Sequence, residues 1–358
     1  MVARSYQVLD VGLRLTCPEE ALPRFHQDYA RFAVPGMPVG RRLEVRFGPG
    51  NVADGAFLEV DGQREDLRGH PRPELHATRV IAETLMDRVG AFTVLHAAVL
   101  GQGEGALALA GPPGSGKTTT AIALLEAGWS YLSDDFCPFQ KLTGLVHPFP
   151  RSLWVRPSPG EEARNLDGDK LLFPLDGRGF RIETEPRPLR WLFCLGEDTA
   201  GGDLQLQQFR IGLRKDTEGP VLADLEALDE VRFEQPGGPG SREWLVRYRR
   251  RPGQTGKARE ILARHRAAIW NVYTLHGPGP DFTQTARLEA LSSMQAAFFL
   301  LKELKHAPSS GAGLTQPGAL LAHLGQLLDQ VACFRLGPGP MDQRLGLIQD
   351  AVMGRIRA

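Results

Sequence analysis

One short run constrains this chain more than any other: residues 111–118 read Gly-Pro-Pro-Gly-Ser-Gly-Lys-Thr, which fits G-x-x-x-x-G-K-[ST]. Its flanks give the pattern meaning. Ala106-Leu-Ala-Leu-Ala110 before it is an apolar run suited to a buried strand, and Thr119-Thr-Ala-Ile-Ala-Leu-Leu-Glu-Ala127 after it reads as a helix closed by Gly128. Gly111, Gly114 and Gly116 allow backbone angles that L-residues resist, so successive N–H groups converge on phosphate oxygens. The helix after the loop adds its positive dipole end. Lys117 offers a point charge to β and γ phosphates, and the Thr118 hydroxyl is placed to ligate Mg²⁺. The chain holds only seven lysines against 35 arginines, so composition does not explain a lysine at this position. The expected nucleotide contacts are Gly111, Pro112, Pro113, Gly114, Ser115, Gly116, Lys117, Thr118 and Thr119, with ATP and Mg²⁺ as ligands.

At 358 residues the chain suits one large domain or two unequal ones. The reading adopted is a small N-terminal α/β domain over 1–90 and a nucleotide-binding domain over 91–350, with a basic insertion at about 235–270. Forty-two basic residues balance 42 acidic ones, so no net field draws the molecule to nucleic acid or an anionic membrane. Cys17, Cys137, Cys194 and Cys333 stand far apart and form no C-x-x-C pair, which supports neither a disulfide framework nor a metal site. No run approaches the roughly 18 apolar residues of a membrane span, and no apolar leader opens the chain. A reduced, cytoplasmic protein is expected.

Leu43–Phe47 and Ala56–Val60 read as strands, with a hairpin turn at Asp61-Gly62. Residues 74–89 have helical spacing through Leu75, Ile81, Leu85, Met86 and Val89. Phe92–Leu100 reads as one buried strand, turned by Gly101–Gly105 into the strand that feeds the glycine loop. Such an antiparallel hairpin is unusual at that point, where a parallel crossover is the ordinary connection. Strands are expected over 129–132, 144–155 and 189–195, and loops over 157–170, 235–241 and 307–318. Residues 286–304 show the best amphipathic helix, with Leu288, Leu291, Met294, Phe298, Leu301 and Leu304 on one stripe read as core-facing.

Asp134 and Asp135 lie where the loop, its helix and the next strand bring the chain back to the phosphate end of the sheet. A carboxylate there can hold Mg²⁺ or accept the proton of an attacking hydroxyl. Strand alternation points adjacent acids differently, so the two can divide those tasks. The assignment made is Asp134 as base and Asp135, with Thr118, as metal ligand; an Asp-Asp turn cap is the plain alternative. His96 sits within an apolar run, either as a satisfied core histidine or as a group reaching the γ-phosphate or a catalytic carboxylate. The catalytic set is therefore Asp134, His96 and Lys117.

Leu95-His-Ala-Ala-Val99, the loop 111–118 and Leu132-Ser-Asp-Asp135 together resemble the HPr serine kinase/phosphorylase superfamily. The closer likeness is to HPr-kinase-related bacterial kinases, some of which modify ribosomally made peptides. In that superfamily a histidine precedes the phosphate loop on the hairpin and an acidic pair comes after the loop helix. His96, Lys117, Thr118, Asp134 and Asp135 match those places one by one. Leu328–Leu336 and Met341-Asp-Gln-Arg-Leu345 are similar to that lineage's final strand and helix. The resemblance implies a P-loop kinase core of the HPr kinase/phosphoenolpyruvate carboxykinase type with a mixed sheet, phosphorylating a serine-type hydroxyl. The acceptor is then a peptide, a protein or a small molecule, and homo-oligomers occur among such relatives. His147-Pro-Phe-Pro-Arg151 stands where HPr kinases carry a Gly-rich signature, as in the related kinases, which points away from HPr as acceptor.

Arg151 and the segment 241–270 are the expected acceptor contacts, with Arg249, Arg250 and Arg251 able to clamp phosphoryl oxygens. That segment holds nine cations against two acids, a charge suited to an acidic or phosphate-bearing acceptor. Too few aromatics accompany them for a nucleic-acid stacking surface. The competing reading is a P-loop ATPase or nucleotide-dependent switch without phosphotransfer. It rests on Trp191–Leu195 followed by Glu197-Asp198 as a strand with its hydrolytic acid.

Overall fold

A computed structural model gives the chain as a mixed α/β fold with several mixed sheets. It describes residues 1–356 except 37, 39, 50–55, 69–72, 113, 141–142, 156–170, 174, 176–177, 197–205, 215, 236–241, 250–253, 266–267, 276–281 and 307–316. The expected loop over 157–170 and most of those over 235–241 and 307–318 lie outside the described residues, as do Pro113, Arg250, Arg251, Glu197 and Asp198, while Pro317 and Gly318 open a helix.

The first 90 residues supply β1 (Val2–Val8), β2 (Val11–Cys17), α1 (Leu22–Tyr29), β3 (Ala33–Val34), β4 (Arg41–Pro49), β5 (Ala56–Val60), β6 (Gln63–Asp66) and α2 (Pro73–Arg88). Six strands form one sheet, in the order β3-β1-β2-β4-β5-β6. Asp61 and Gly62 both take positive φ, the backbone a two-residue turn between β5 and β6 requires. Alternate residues Tyr6, Leu13, Leu15, Val45 and Phe47 pack on Phe25, Tyr29, Ile81 and Leu85 of the two helices. Phe92, Val94, Phe136 and Phe149 belong to the same apolar cluster, so this sheet shares its core with residues of the central region.

The central part runs β7 (Phe92–Leu95), β8 (Ala97–Gln102), β9 (Gly105–Ala110), α3 (Lys117–Glu126), β10 (Ser130–Ser133), β11 (Cys137–Gln140), β12 (Leu145–Val146), β13 (Leu153–Val155), β14 (Leu171–Phe173), β15 (Arg181–Ile182) and β16 (Arg187–Leu195). After it come β17 (Leu206–Leu213), α4 (Glu218–Leu225), β18 (Arg232–Glu234), β19 (Glu243–Arg249), α5 (Gln254–Arg264) and β20 (Ile269–Leu275). The chain closes with β21 (Leu288–Leu291), α6 (Ser293–Lys302), β22 (Leu304–His306), α7 (Pro317–Leu328), β23 (Ala332–Leu336) and α8 (Met341–Val352).

An 11-stranded sheet organises the centre, and β9 is buried along its whole length within it. The sequence Gly-Ala-Leu-Ala-Leu-Ala explains how. Ala106, Ala108 and Ala110 face one layer with Ala296, Ala297, Leu300 and Leu324 of α6 and α7. Leu107 and Leu109 face the other, with Ala121, Leu124 and Ile348 of α3 and α8. Each buried leucine contributes roughly 1.5–3 kcal/mol, which fixes the strand that carries the loop. β16 lies parallel to β9 on one side and to β23 on the other.

Three expectations need correction. Phe92–Leu100 is two strands broken at His96, since β7 pairs with β11 and β22 while β8 pairs with β9 and β10. Residues 144–155 hold two short strands rather than one, with Pro148 and Pro150 between them to interrupt any ladder. The stretch 286–304 is no single helix. Leu288–Leu291 is a strand on β23, and Ser292 then starts α6 with a capping box to Gln295. The face that packs is Ala296, Ala297 and Leu300, while Met294 and Phe298 are exposed at 46% and 56%.

The basic stretch belongs to a four-stranded antiparallel sheet, β18-β19-β17-β20, with its own apolar cluster around Phe209, Ile211, Val246 and Tyr248. Acids just upstream answer its cations: Arg247 pairs with Glu234 at 2.9 Å, Arg249 with Glu230 at 2.6 Å and Arg264 with Asp224 at 2.8 Å. Among the described residues, no helix is long and apolar enough to cross a membrane.

Candidate functional site

Strand direction brings the site together. β8 is antiparallel to β9, with Ala97 opposite Ala110, and antiparallel to β10, with Val99 opposite Ser133. β9 and β10 therefore run the same way on either side of β8. The residues just after β9, those just after β10 and the one just before β8 all emerge at one edge. Those residues are the glycine loop, Asp134-Asp135 and His96.

Gly114 and Gly116 take φ of +90° and +87°, in the left-handed region that favours glycine. Gly111 does not, contrary to the expectation for all three glycines. It is needed for space: a Cβ there would lie 2.7 Å from the Leu195 carbonyl oxygen and 2.8 Å from Ser115 Oγ. Lys117 is buried and folds back over the loop, donating to the Gly111 carbonyl at 2.5 Å and the Pro112 carbonyl at 3.3 Å. Ser115 Oγ is buried without a hydrogen-bond partner. Thr119 is exposed in the first turn of α3.

The two aspartates stand just beyond β10, and it is Asp134, not the expected Asp135, that meets Thr118. Thr118 Oγ1 donates to Asp134 Oδ2 at 2.9 Å, and Asp134 is 6% exposed. Asp135 takes φ of +67°, and its side chain, 41% exposed, lies 3.4 Å from His96 Nε2. Asp134 is thus the carboxylate beside Thr118, and Asp135 the one that faces solvent and the imidazole. A left-handed aspartate is tolerated at modest cost, and such strain concentrates where a side chain must be aimed.

His96 has a second acidic neighbour that the sequence reading missed. Its Nδ1 lies 3.1 Å from Glu303 Oε2, and its backbone N–H donates to the Glu303 carbonyl at 2.6 Å. Glu303 is buried at the C-terminus of α6 and fixes the ring from behind. A lone acid in the apolar run Phe299-Leu-Leu-Lys-Glu-Leu304 was the available signal. Arg344 of α8 was also missed; its side chain is buried beside Ser115 and Gly116.

Arg151 stands close to the acidic pair and is tied to the N-terminal sheet's helices. Its guanidinium lies 3.6 Å from Asp28 and 3.5 Å from the Thr78 carbonyl, while Asp28 accepts from the Ser152 N–H at 3.0 Å. Burial pulls its pKa down most strongly, but Tyr29, Asp28, Asp135 and Tyr131 together outweigh burial and raise it. The Tyr131 hydroxyl donates to the Arg151 carbonyl at 2.9 Å; burial first, then Asp134, push that phenol's pKa well up. Arg249 lies on β19, in the separate four-stranded sheet.

Hard oxygen donors, Thr118 and Asp134, sit together at the loop's helix, a set that suits Mg²⁺. Among the described residues, no group of three or more His, Cys, Asp or Glu side chains could hold a metal alone. A Mg²⁺ here would therefore complete its shell with phosphate and water oxygens, its usual habit in nucleotide sites.

No protein-family model matches the sequence, and no curated protein does. Among solved structures, the HPr(Ser) kinase/phosphatase from Coxiella burnetii is similar over 49% of this chain and 96% of its own length. The identity is 14% and the TM-score 0.21, a likeness too slight to carry any conclusion about activity.

Proposed function

We propose that this chain is a P-loop kinase that transfers phosphate from ATP to a hydroxyl-bearing acceptor, a peptide, a protein or a small molecule. One observation carries the reading: at a single sheet edge, Thr118 bonds Asp134 beside Lys117, and His96 faces Asp135. On this reading residues 91–350 form the kinase unit and residues 1–90 a smaller appended one. Thr118 and Asp134 would hold Mg²⁺, which would neutralise charge on the phosphates. Lys117 exchanges the Gly111 and Pro112 carbonyls for phosphate oxygens. Asp135 takes the proton of the acceptor hydroxyl as its oxygen bonds to the γ-phosphorus and ADP departs. His96, held by Glu303, keeps the Asp135 carboxylate aimed, and the Arg151 charge acts on that same carboxylate. Proton removal by a placed base contributes on the order of 10²–10⁴ in rate.

Transfer of label from γ-labelled ATP to hydroxy acceptors tests this. Asp135→Asn is expected to lower transfer by about 10²–10⁴-fold with Mg·ATP affinity kept. Asp134→Asn is expected to weaken the Mg²⁺-dependent part of ATP binding instead. Steady ATP hydrolysis that labels no acceptor, or full transfer by Asp135→Asn, overturns the assignment.

A further inference from the structure

Arg344 is 1% exposed, among the largest fully buried side chains described, and it faces the glycine loop from α8. Its Nη2 reaches only to the Ser115 carbonyl at 3.5 Å, while Nε and Nη1 are buried with no hydrogen-bond partner. Nη1 lies 2.8 Å from the point where a Cβ on Gly116 would stand. The Phe282 ring lies 3.5 Å from that same point and is 39% exposed. The guanidinium carbon is 5.6 Å from the ring's centre. Burial lowers the Arg344 pKa to about 10, and no acidic side chain among the described residues pulls it back. A desolvated cation with idle donors is costly to hold unless an anion meets it. Neither the Lys117, Thr118 and Asp134 contacts nor the His96–Asp135 pair makes use of it.

We propose, resting on the nucleotide reading above, that Arg344 donates to a phosphate oxygen of the bound nucleoside triphosphate and that the Phe282 ring stacks on its base. Arg344 supplies a fixed charge beside Ser115 and Gly116, in addition to that of Lys117. Phe282 makes the site favour a nucleotide over a bare polyphosphate. Its ring is 39% exposed with the Arg344 guanidinium over it, which leaves aromatic surface on which a base can stack.

Calorimetric titration of the wild-type protein, Arg344→Met and Phe282→Ala with MgATP and with inorganic tripolyphosphate tests both halves. Arg344→Met is expected to weaken both ligands about 10- to 100-fold. Its ligand-free urea midpoint is expected to be no lower than wild type, since an apolar side chain of similar length replaces an unpartnered buried charge. Phe282→Ala, an exposed position, is expected to weaken MgATP about tenfold and leave tripolyphosphate unchanged. Wild-type affinity for both ligands in Arg344→Met, together with a lowered midpoint, makes the arginine structural and overturns its half. Equal loss of both ligands, or of neither, in Phe282→Ala overturns the stacking half. A wild-type protein that binds neither ligand removes the nucleotide reading itself, and this inference with it.

Discussion

Alanine at Gly114 meets nothing within 4 Å, so the whole cost of that substitution is its φ of +90°. Left-handed backbone costs an L-residue roughly 1–2 kcal/mol, and the stiffer unfolded chain returns about 0.4–1 of that. The net loss is about 0–1.6 kcal/mol. Gly116→Ala incurs the same backbone cost at φ +87° and also sets a methyl 2.8 Å from Arg344 Nη1. That guanidinium is fully buried, so it yields only by disturbing α8. Overpacking of this kind costs typically 1–3 kcal/mol, which brings the total to about 1–5. Gly111→Ala has no backbone penalty but drives a methyl to 2.7 Å from the Leu195 carbonyl oxygen. A β16 backbone atom cannot rotate away as a side chain can, so overpacking of about 1–3 kcal/mol is expected there too. Urea unfolding followed by far-UV circular dichroism ranks the three through their midpoints, provided the slopes stay equal. Gly114→Ala should be the mildest. If it destabilises as much as Gly116→Ala, or if Gly111→Ala is neutral, the division between backbone conformation and space is wrong.

Ser292→Ala removes the capping box of α6, in which Gln295 N–H donates to Ser292 Oγ at 3.3 Å and Ser292 N–H to Gln295 Oε1 at 2.9 Å. A loss of about 1 kcal/mol in urea unfolding is expected, with Ser292→Thr largely retaining stability. Glu183 accepts from Ser130 Oγ at 2.6 Å, Arg187 at 2.7 Å and Arg181 at 3.1 Å. Burial raises its pKa most, but the bonds from Ser130, Arg187 and Arg181 outweigh burial and hold the carboxyl below its ordinary 4.5. A carboxylate depressed in the folded state stabilises above its unfolded pKa and loses that contribution as pH falls through the folded one. The urea-midpoint gap between wild type and Glu183→Gln is therefore expected at pH 7 and should shrink below about pH 4.5; a gap that does not change with pH refutes this.

The fold around the loop was legible because its cues are local. The Ala/Leu alternation of β9, the glycine loop and α3 succeed one another within ten or twenty residues, and so do the β8–β9 hairpin and the turn at Asp61-Gly62. Where two local readings compete, the sequence alone misleads. Leu288 and Leu291 fit a helical stripe with Met294 and Phe298, yet Ser292-Ser-Met-Gln295 is a helix start that separates them. Charge counted in a window leaves out acids just beyond it: Glu234, Glu230 and Asp224 pair with Arg247, Arg249 and Arg264. The partners of Glu303 and Arg344 were out of reach of a local reading, because His96 and Ser115 lie 207 and 229 positions away. That Thr118 meets Asp134 while His96 meets Asp135 goes with the left-handed backbone of Asp135, which no spacing rule anticipates.

The break at His96 ties these long-range contacts to the site. In one continuous strand through 92–100, His96 would spend its backbone N–H on a ladder and alternate with buried Leu95 and Ala97. Instead β7 turns toward β11 and β22, and β8 toward β9 and β10. The freed His96 N–H goes to the Glu303 carbonyl, and the ring lies between the Glu303 carboxylate and Asp135. Leu304 then pairs with Leu95, so the same few residues that aim the imidazole also join α6 to the central sheet. A histidine held by backbone and side chain of one buried acid has little freedom to turn, and orientation is what a group needs in order to place a neighbouring carboxylate. The acidic pair is thus positioned from two directions, by β10 through the chain and by α6 through His96.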